Sequence, residues 1–214
     1  MNLIPEKYKL VIFDCDGTLV DSERISNQII SDMINGLGIP MTEEKSLKLF
    51  KGTQFSNIVD YVENHLKSPI GFDFESKFRV ICKEAFEQKL KEVKGARHFI
   101  EQLDCNYCVA SNGPKEKMNV SLSVTKLKEV LSDEQIFSAY DINTFKPDPG
   151  LFLYACAQMG FQSQDCLVIE DTVPGIVAAQ KAKMDIWLIH HPGINDEILD
   201  YGLPTFRDFT EIKI

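Results

Sequence analysis

Asp14 and Asp16 stand two residues apart in Asp14-Cys15-Asp16-Gly17-Thr18, directly after the apolar run Leu10-Val11-Ile12-Phe13. Residues at that spacing share a face of a strand, so both carboxylates can point the same way with Cys15 opposite. Two carboxylates a few ångströms apart repel unless a cation or a shared proton lies between them. Magnesium, a hard divalent ion that takes carboxylate oxygens and keeps waters for phosphate, is the natural occupant. Gly17 then lets the chain turn sharply and approach a ligand closely. Three further groups follow in order: Ser111-Asn112-Gly113, Lys146-Pro147-Asp148-Pro149 and Glu170-Asp171. Each has a plain structural use alone, Ser111 as a helix cap, Lys146 as a surface lysine and Glu170-Asp171 as a turn. Together they supply two aspartates, a hydroxyl, an ammonium and an acidic pair. That is the set required for phosphoryl transfer through a carboxylate nucleophile.

Elements that can position these groups follow from the apolar pattern. Leu10 to Phe13, Tyr107 to Ala110, Cys166 to Ile169 and Ile186 to Ile189 are continuous apolar runs, as suits strands buried on both faces of a parallel sheet. Helical patterns lie between them, two opening at Pro149 and Pro174, and proline in a first turn is a helix-start signal. Strand then helix, repeated, predicts an α/β fold with a doubly wound parallel sheet. In such a sheet ligands sit at the carboxyl ends of the strands, where the four groups can converge. Residues 21–92 break the rhythm. Ile25, Ile29, Ile30, Met33 and Ile34 recur at helical spacing, Thr42 can cap a helix carrying Leu47 and Phe50, and Phe74 to Phe86 form a third stripe. The expected organisation is therefore a core of residues 1–20 and 93–214 with an inserted all-helical domain at 21–92.

Lys plus Arg is 23 and Asp plus Glu is 32, a net charge of −9. A net anion repels nucleic acid and acidic membrane, so neither is an expected partner. No apolar run approaches the roughly 18 residues of a membrane span. The first seven residues carry no signal-peptide pattern, and a cytoplasmic monomer is the expectation. The six cysteines form no secreted-type framework; Cys105 and Cys108 are two residues of a C-x-x-C that enters a buried strand and reads as packing.

At these residues the sequence resembles the haloacid dehalogenase superfamily. Its four motifs match in order: D-x-D-G-T at Asp14 to Thr18, the serine at Ser111, the lysine at Lys146 and the acidic pair at Glu170-Asp171. The resemblance implies that Asp14 attacks phosphorus to give an aspartyl-phosphate. Asp16 then protonates the leaving oxygen and afterwards activates water. It also implies that Ser111 and Lys146 hold phosphoryl oxygens, and that magnesium is held by Asp14, the Asp16 backbone carbonyl and Asp171 with Glu170 assisting. Thr18, Lys51, Gly52, Gln54, Asn112 and Gly113 are the expected contacts to a small phosphorylated metabolite, with Lys51 at its distal end. Hinges for the helical cap are expected near Thr18 to Ser22 and Val93 to Gly95.

Leu19 to Glu23, Phe50-Lys51-Gly52 and Ser111-Asn112-Gly113-Pro114 with Lys117-Met118 look like the sugar-phosphate phosphatase subgroup, with 6-phosphogluconate the expected substrate. The acidic pair is Glu-Asp where that subgroup's 6-phosphogluconate phosphatase has Asp-Asp, and Thr172 replaces a serine. A β-phosphoglucomutase-like phosphotransferase is the alternative. Its cap histidine and arginine would fall at Ser26 and Phe55, so the fork that grips a second phosphate is missing. A halide-releasing dehalogenase is disfavoured because Asp16 is present. So is a phosphate-binding module without turnover, because Asp14, Asp16 and Lys146 are all in place.

Overall fold

The structure is a computed structural model, and it describes residues 6–212. Strands β1 (Leu10–Phe13), β2 (Asn106–Ser111), β3 (Ile136–Ser138), β4 (Cys166–Glu170), β5 (Asp185–Ile189) and β6 (Thr205–Phe206) form one parallel sheet in the order β3-β2-β1-β4-β5-β6. Strand β1 lies between β2 and β4, with Phe13 level with Val109 on one side and Ile169 on the other. That register puts the three catalytic-type segments at one edge, because each strand's next residues leave the sheet at the same height. Strands β3 and β6 are too short to make an apolar run and were not expected from the sequence.

Between β1 and β2 the chain forms α1 (Glu23–Asn35), α2 (Glu43–Phe50), α3 (Phe55–Leu66), α4 (Phe74–Lys89) and α5 (Ala96–Glu101). Thr42 caps α2 by accepting from Lys45 N at 3.1 Å, as its position before Glu43 predicts. Helices α1 to α4 bury their own apolar cluster, which includes Ile30, Ile34, Phe50, Ile58, Val62 and Phe78. The two chain segments joining them to the sheet run side by side: Asp21 N donates to Lys91 O and Val93 N to Leu19 O, at 3.0 and 2.9 Å. Helices α6 (Lys115–Val124), α7 (Ala139–Ile142), α8 (Gly150–Gln158) and α9 (Val173–Lys181) complete the layers. One apolar cluster lies on each face of the sheet, and Cys15 is fully buried in one of them. The Cys15 side chain thus points away from the site.

Candidate active site

Asp14 leaves β1 with its N–H donating to Ile169 O at 2.9 Å, and its carboxylate is buried. Lys146 meets it there, with Nζ 2.6 Å from Asp14 Oδ1 and 2.7 Å from Glu170 Oε1. Asn112 holds this lysine by its backbone, accepting from Lys146 N at 2.9 Å and donating to Lys146 O at 3.3 Å. Burial pushes the Asp14 carboxyl well above the usual range against the pull of Lys146. Burial would lower Lys146, but Asp14 and Glu170 outweigh it and hold the ammonium above its ordinary value.

Glu170 and Asp171 come from the end of β4 and lead into α9. Glu170 Oε2 accepts from Asp171 N, Thr172 N and Thr172 Oγ1 at 2.8, 2.8 and 2.9 Å, so it neutralises the helix N-terminus as well as Lys146. Gly175 is required beside it, because a Cβ there would lie 1.8 Å from Glu170 Oε1. Gly17 is required twice over: its φ is +77°, and a Cβ would stand 2.2 Å from Asp171 Oδ2. Asp171 accepts from Thr18 Oγ1 at 3.3 Å, and Asn195 Nδ2 holds its carbonyl at 2.8 Å. Asp14, Glu170 and Asp171, all buried, each offer a carboxylate oxygen within 4.8 Å of one another. Hard oxygen donors so placed fit a divalent ion of the magnesium and calcium class. Both oxygens of Glu170 and both of Asp171 already have partners, those of Asp171 being Thr18 and Lys51, so a bound ion would have to displace one of them.

Asp16 is not part of that triad. Its Oδ1 accepts from Ser22 Oγ at 2.6 Å and its Oδ2 from Lys117 Nζ at 2.7 Å. Burial disfavours its charge, yet Lys117, Ser22 and Lys146 outweigh burial and hold its pKa below the ordinary value. A cavity of about 290 Å³ extends from Asp14, Asp16, Ser111 and Lys146 up between α1, α4 and the loop after α2. Glu23 lines it, and burial pushes that carboxyl up to about 7 despite Lys51 nearby.

Most of the expected residues converge. Ser111, Gly113, Gly52 and Gln54 line the cavity with the core motifs, and Asn112 reaches it while fixing Lys146. Two expected substrate contacts have different surroundings. Thr18 is fully buried on Asp171 and lies outside the cavity lining, because the tight turn at Gly17 folds its hydroxyl under the acidic loop. Lys51 was expected at the far end of a substrate, but its Nζ lies 2.6 Å from Asp171 Oδ2 and its side chain is 6% exposed. Docking of Gly52, at φ +69°, against Thr172 aims it there. Glu23 and Lys117 have no role readable from sequence and Ser22 none beyond the expected hinge, although Lys117 carries a signal as the basic residue one turn into a helix that follows Ser111.

The sequence family model described as haloacid dehalogenase-like hydrolase matches residues 11–189. The chain belongs to this family. A 6-phosphogluconate phosphatase of Escherichia coli K12 is 30% identical over 207 residues, covering 96% of this chain and 93% of the relative. Hexitol phosphatase B of the same organism is 24% identical over 215 residues, covering 96% of each. Among solved structures, a haloacid dehalogenase-like protein from Agrobacterium tumefaciens superposes with a TM-score of 0.78 at 30% identity, over 92% of each chain. This chain is a haloacid dehalogenase-like phosphatase with that family's Rossmann-like core. No helix among the described residues is long and apolar enough to cross a membrane.

Proposed function

We propose that the protein is a magnesium-dependent phosphatase of sugar or sugar-acid phosphates, with 6-phosphogluconate its leading substrate, acting through an aspartyl-phosphate on Asp14. The observation that carries this reading is the buried Lys146 ammonium bridging Asp14 and Glu170 beside Asp171. Asp14 is an acceptor-only nucleophile, and Lys146 with Ser111 offsets the repulsion between it and a phosphoryl group. As the Asp14 Oδ–P bond forms and the P–O bond to the sugar breaks, the departing oxygen takes a proton from Asp16. Asp16 must first exchange its Lys117 and Ser22 contacts for a proton from solvent, because those contacts hold it ionised at rest. Water then attacks the same phosphorus, Asp16 takes its proton, and orthophosphate leaves Asp14 free. Asp14, Asp171 and the Asp16 carbonyl, with Glu170 beside them, would hold magnesium, which would supply positive charge against the phosphoryl oxygens.

Residues 21–92 serve as a cap that moves on the paired segments 19–21 and 91–93, over a core of residues 1–20 and 93–214, whose outermost residues lie outside those described. Closure excludes water from the cavity. A sugar-acid leaving group is supported by the name of the E. coli relative and by Lys83 on the cavity wall, with Arg79 beside it paired to Glu75. The reading is tested by magnesium-dependent phosphate release from a phosphometabolite panel containing 6-phosphogluconate, with Asp14→Asn as control. Preference for 6-phosphogluconate, abolished in the variant, is expected. Activity led by other phosphosugars would overturn the substrate and keep the chemistry.

A further inference from the structure

Helix α1 turns one polar face into the cavity through Glu23, Ser26 and Asn27, at spacings of three and four residues. Asn27 is fully engaged: it donates to Glu23 O at 3.0 Å and Glu23 Oε2 at 3.2 Å, and accepts from Ser46 Oγ at 2.8 Å. That leaves Glu23 Oε1 without a hydrogen bond among the described residues. Ser26 Oγ is buried and has no oxygen or nitrogen partner there, with only the weak Cys82 thiol beside it. The same cavity is lined by the apolar Ile30, Phe50, Ile58 and Phe78, while Lys51, Lys117, Asp16 and Asp171 act on the Glu23 carboxyl. The buried Ser26 hydroxyl costs free energy that a bound polar group recovers, and Glu23 Oε1 is open to accept from the same ligand. Lys51, turned onto Asp171, cannot also serve the leaving group from its present position.

We propose that Glu23 and Ser26 are specificity residues that read a hydroxyl on the leaving group of the phosphate ester. A hydroxyl donates to Glu23 and exchanges a hydrogen bond with Ser26 Oγ, so the site selects polyol phosphates over alkyl phosphates of equal length. This inference rests on the phosphatase reading above. The test compares kcat/KM for 6-phosphogluconate and sorbitol 6-phosphate with that for n-hexyl phosphate, which has the same six carbons and no hydroxyl. Wild-type enzyme, Ser26→Ala and the isosteric Glu23→Gln are assayed, with thermal melting to establish folding. The polyol-to-hexyl ratio falls about tenfold in each variant, chiefly through KM, the size expected from losing one buried hydrogen bond. A merely structural role lowers both substrates together and leaves the ratio unchanged, which overturns the inference. So does a wild-type enzyme that prefers n-hexyl phosphate. Absence of Asp14-dependent turnover on every substrate overturns the phosphatase reading instead.

Discussion

Replacing Lys146 by methionine isolates the counter-charge that the site depends on. The ammonium contacts Asp14 at 2.6 Å and Glu170 at 2.7 Å, with its side chain 3% exposed. Methionine fills a similar volume and keeps contact with Phe152, whose ring centroid lies 4.7 Å from Nζ. What is lost is charge, and breaking a buried pair by removing one partner costs about 3–5 kcal/mol. For a chain of this size that corresponds to a fall in melting temperature of roughly 6–20 °C. The pH dependence fixes the cause. Burial already holds Asp14 high, and without Lys146 the main opposing influence is gone, so its folded-state pKa rises further above the unfolded value. A raised carboxyl binds more protons folded than unfolded, so its penalty is absent below the unfolded pKa of about 4 and grows as pH rises through the interval up to the folded pKa. Calorimetric melts of both proteins between pH 5 and pH 8, without added metal, should therefore show the smallest deficit at the acid end. A variant melting within about 2 °C of wild type at neutral pH, or a deficit that widens as pH falls, would refute this reasoning.

Gly175→Ala places a Cβ 1.8 Å from Glu170 Oε1, so the carboxylate must leave both Lys146 and the α9 N-terminus. The expected outcome is a loss of about 3 kcal/mol in chemical denaturation, and wild-type stability would contradict it. Cys15 and Cys108 are buried with thiols pushed well up by burial, and Cys105 is the half-exposed one of the six free cysteines. A thiol reagent should thus label Cys105 first in the native protein, read by peptide mass, with rapid labelling of Cys15 counting against the packing described.

The sheet and the convergence of Asp14, Ser111, Lys146 and Glu170-Asp171 were readable because each sits where an apolar run or helix pattern changes, a local signal. Strand β3, of three residues, and β6, of two, are defined by pairing with neighbours rather than by their own composition. Helix α3 buries only Ile58 and Val62, too narrow a stripe to stand out beside α4. The partners of the charged groups were hidden for a different reason. Lys117 meets Asp16 across 101 residues and Lys51 meets Asp171 across 120, and no spacing rule reaches that far. The direction of Lys51 was not readable either: the loop faces the active site as expected, and the backbone turn at Gly52 sends the ammonium to the acidic pair.

The most direct test is whether phosphate is carried covalently by Asp14. Enzyme mixed with magnesium and 6-phosphogluconate or another turned-over phosphate ester, then acid-quenched within a single turnover, should yield a peptide containing Asp14 heavier by one phosphoryl group and labile to hydroxylamine. The Asp14→Asn protein should yield none. Phosphate found on another residue, or rapid turnover with no phosphorylated peptide at any time point, would contradict the assignment of Asp14 as nucleophile.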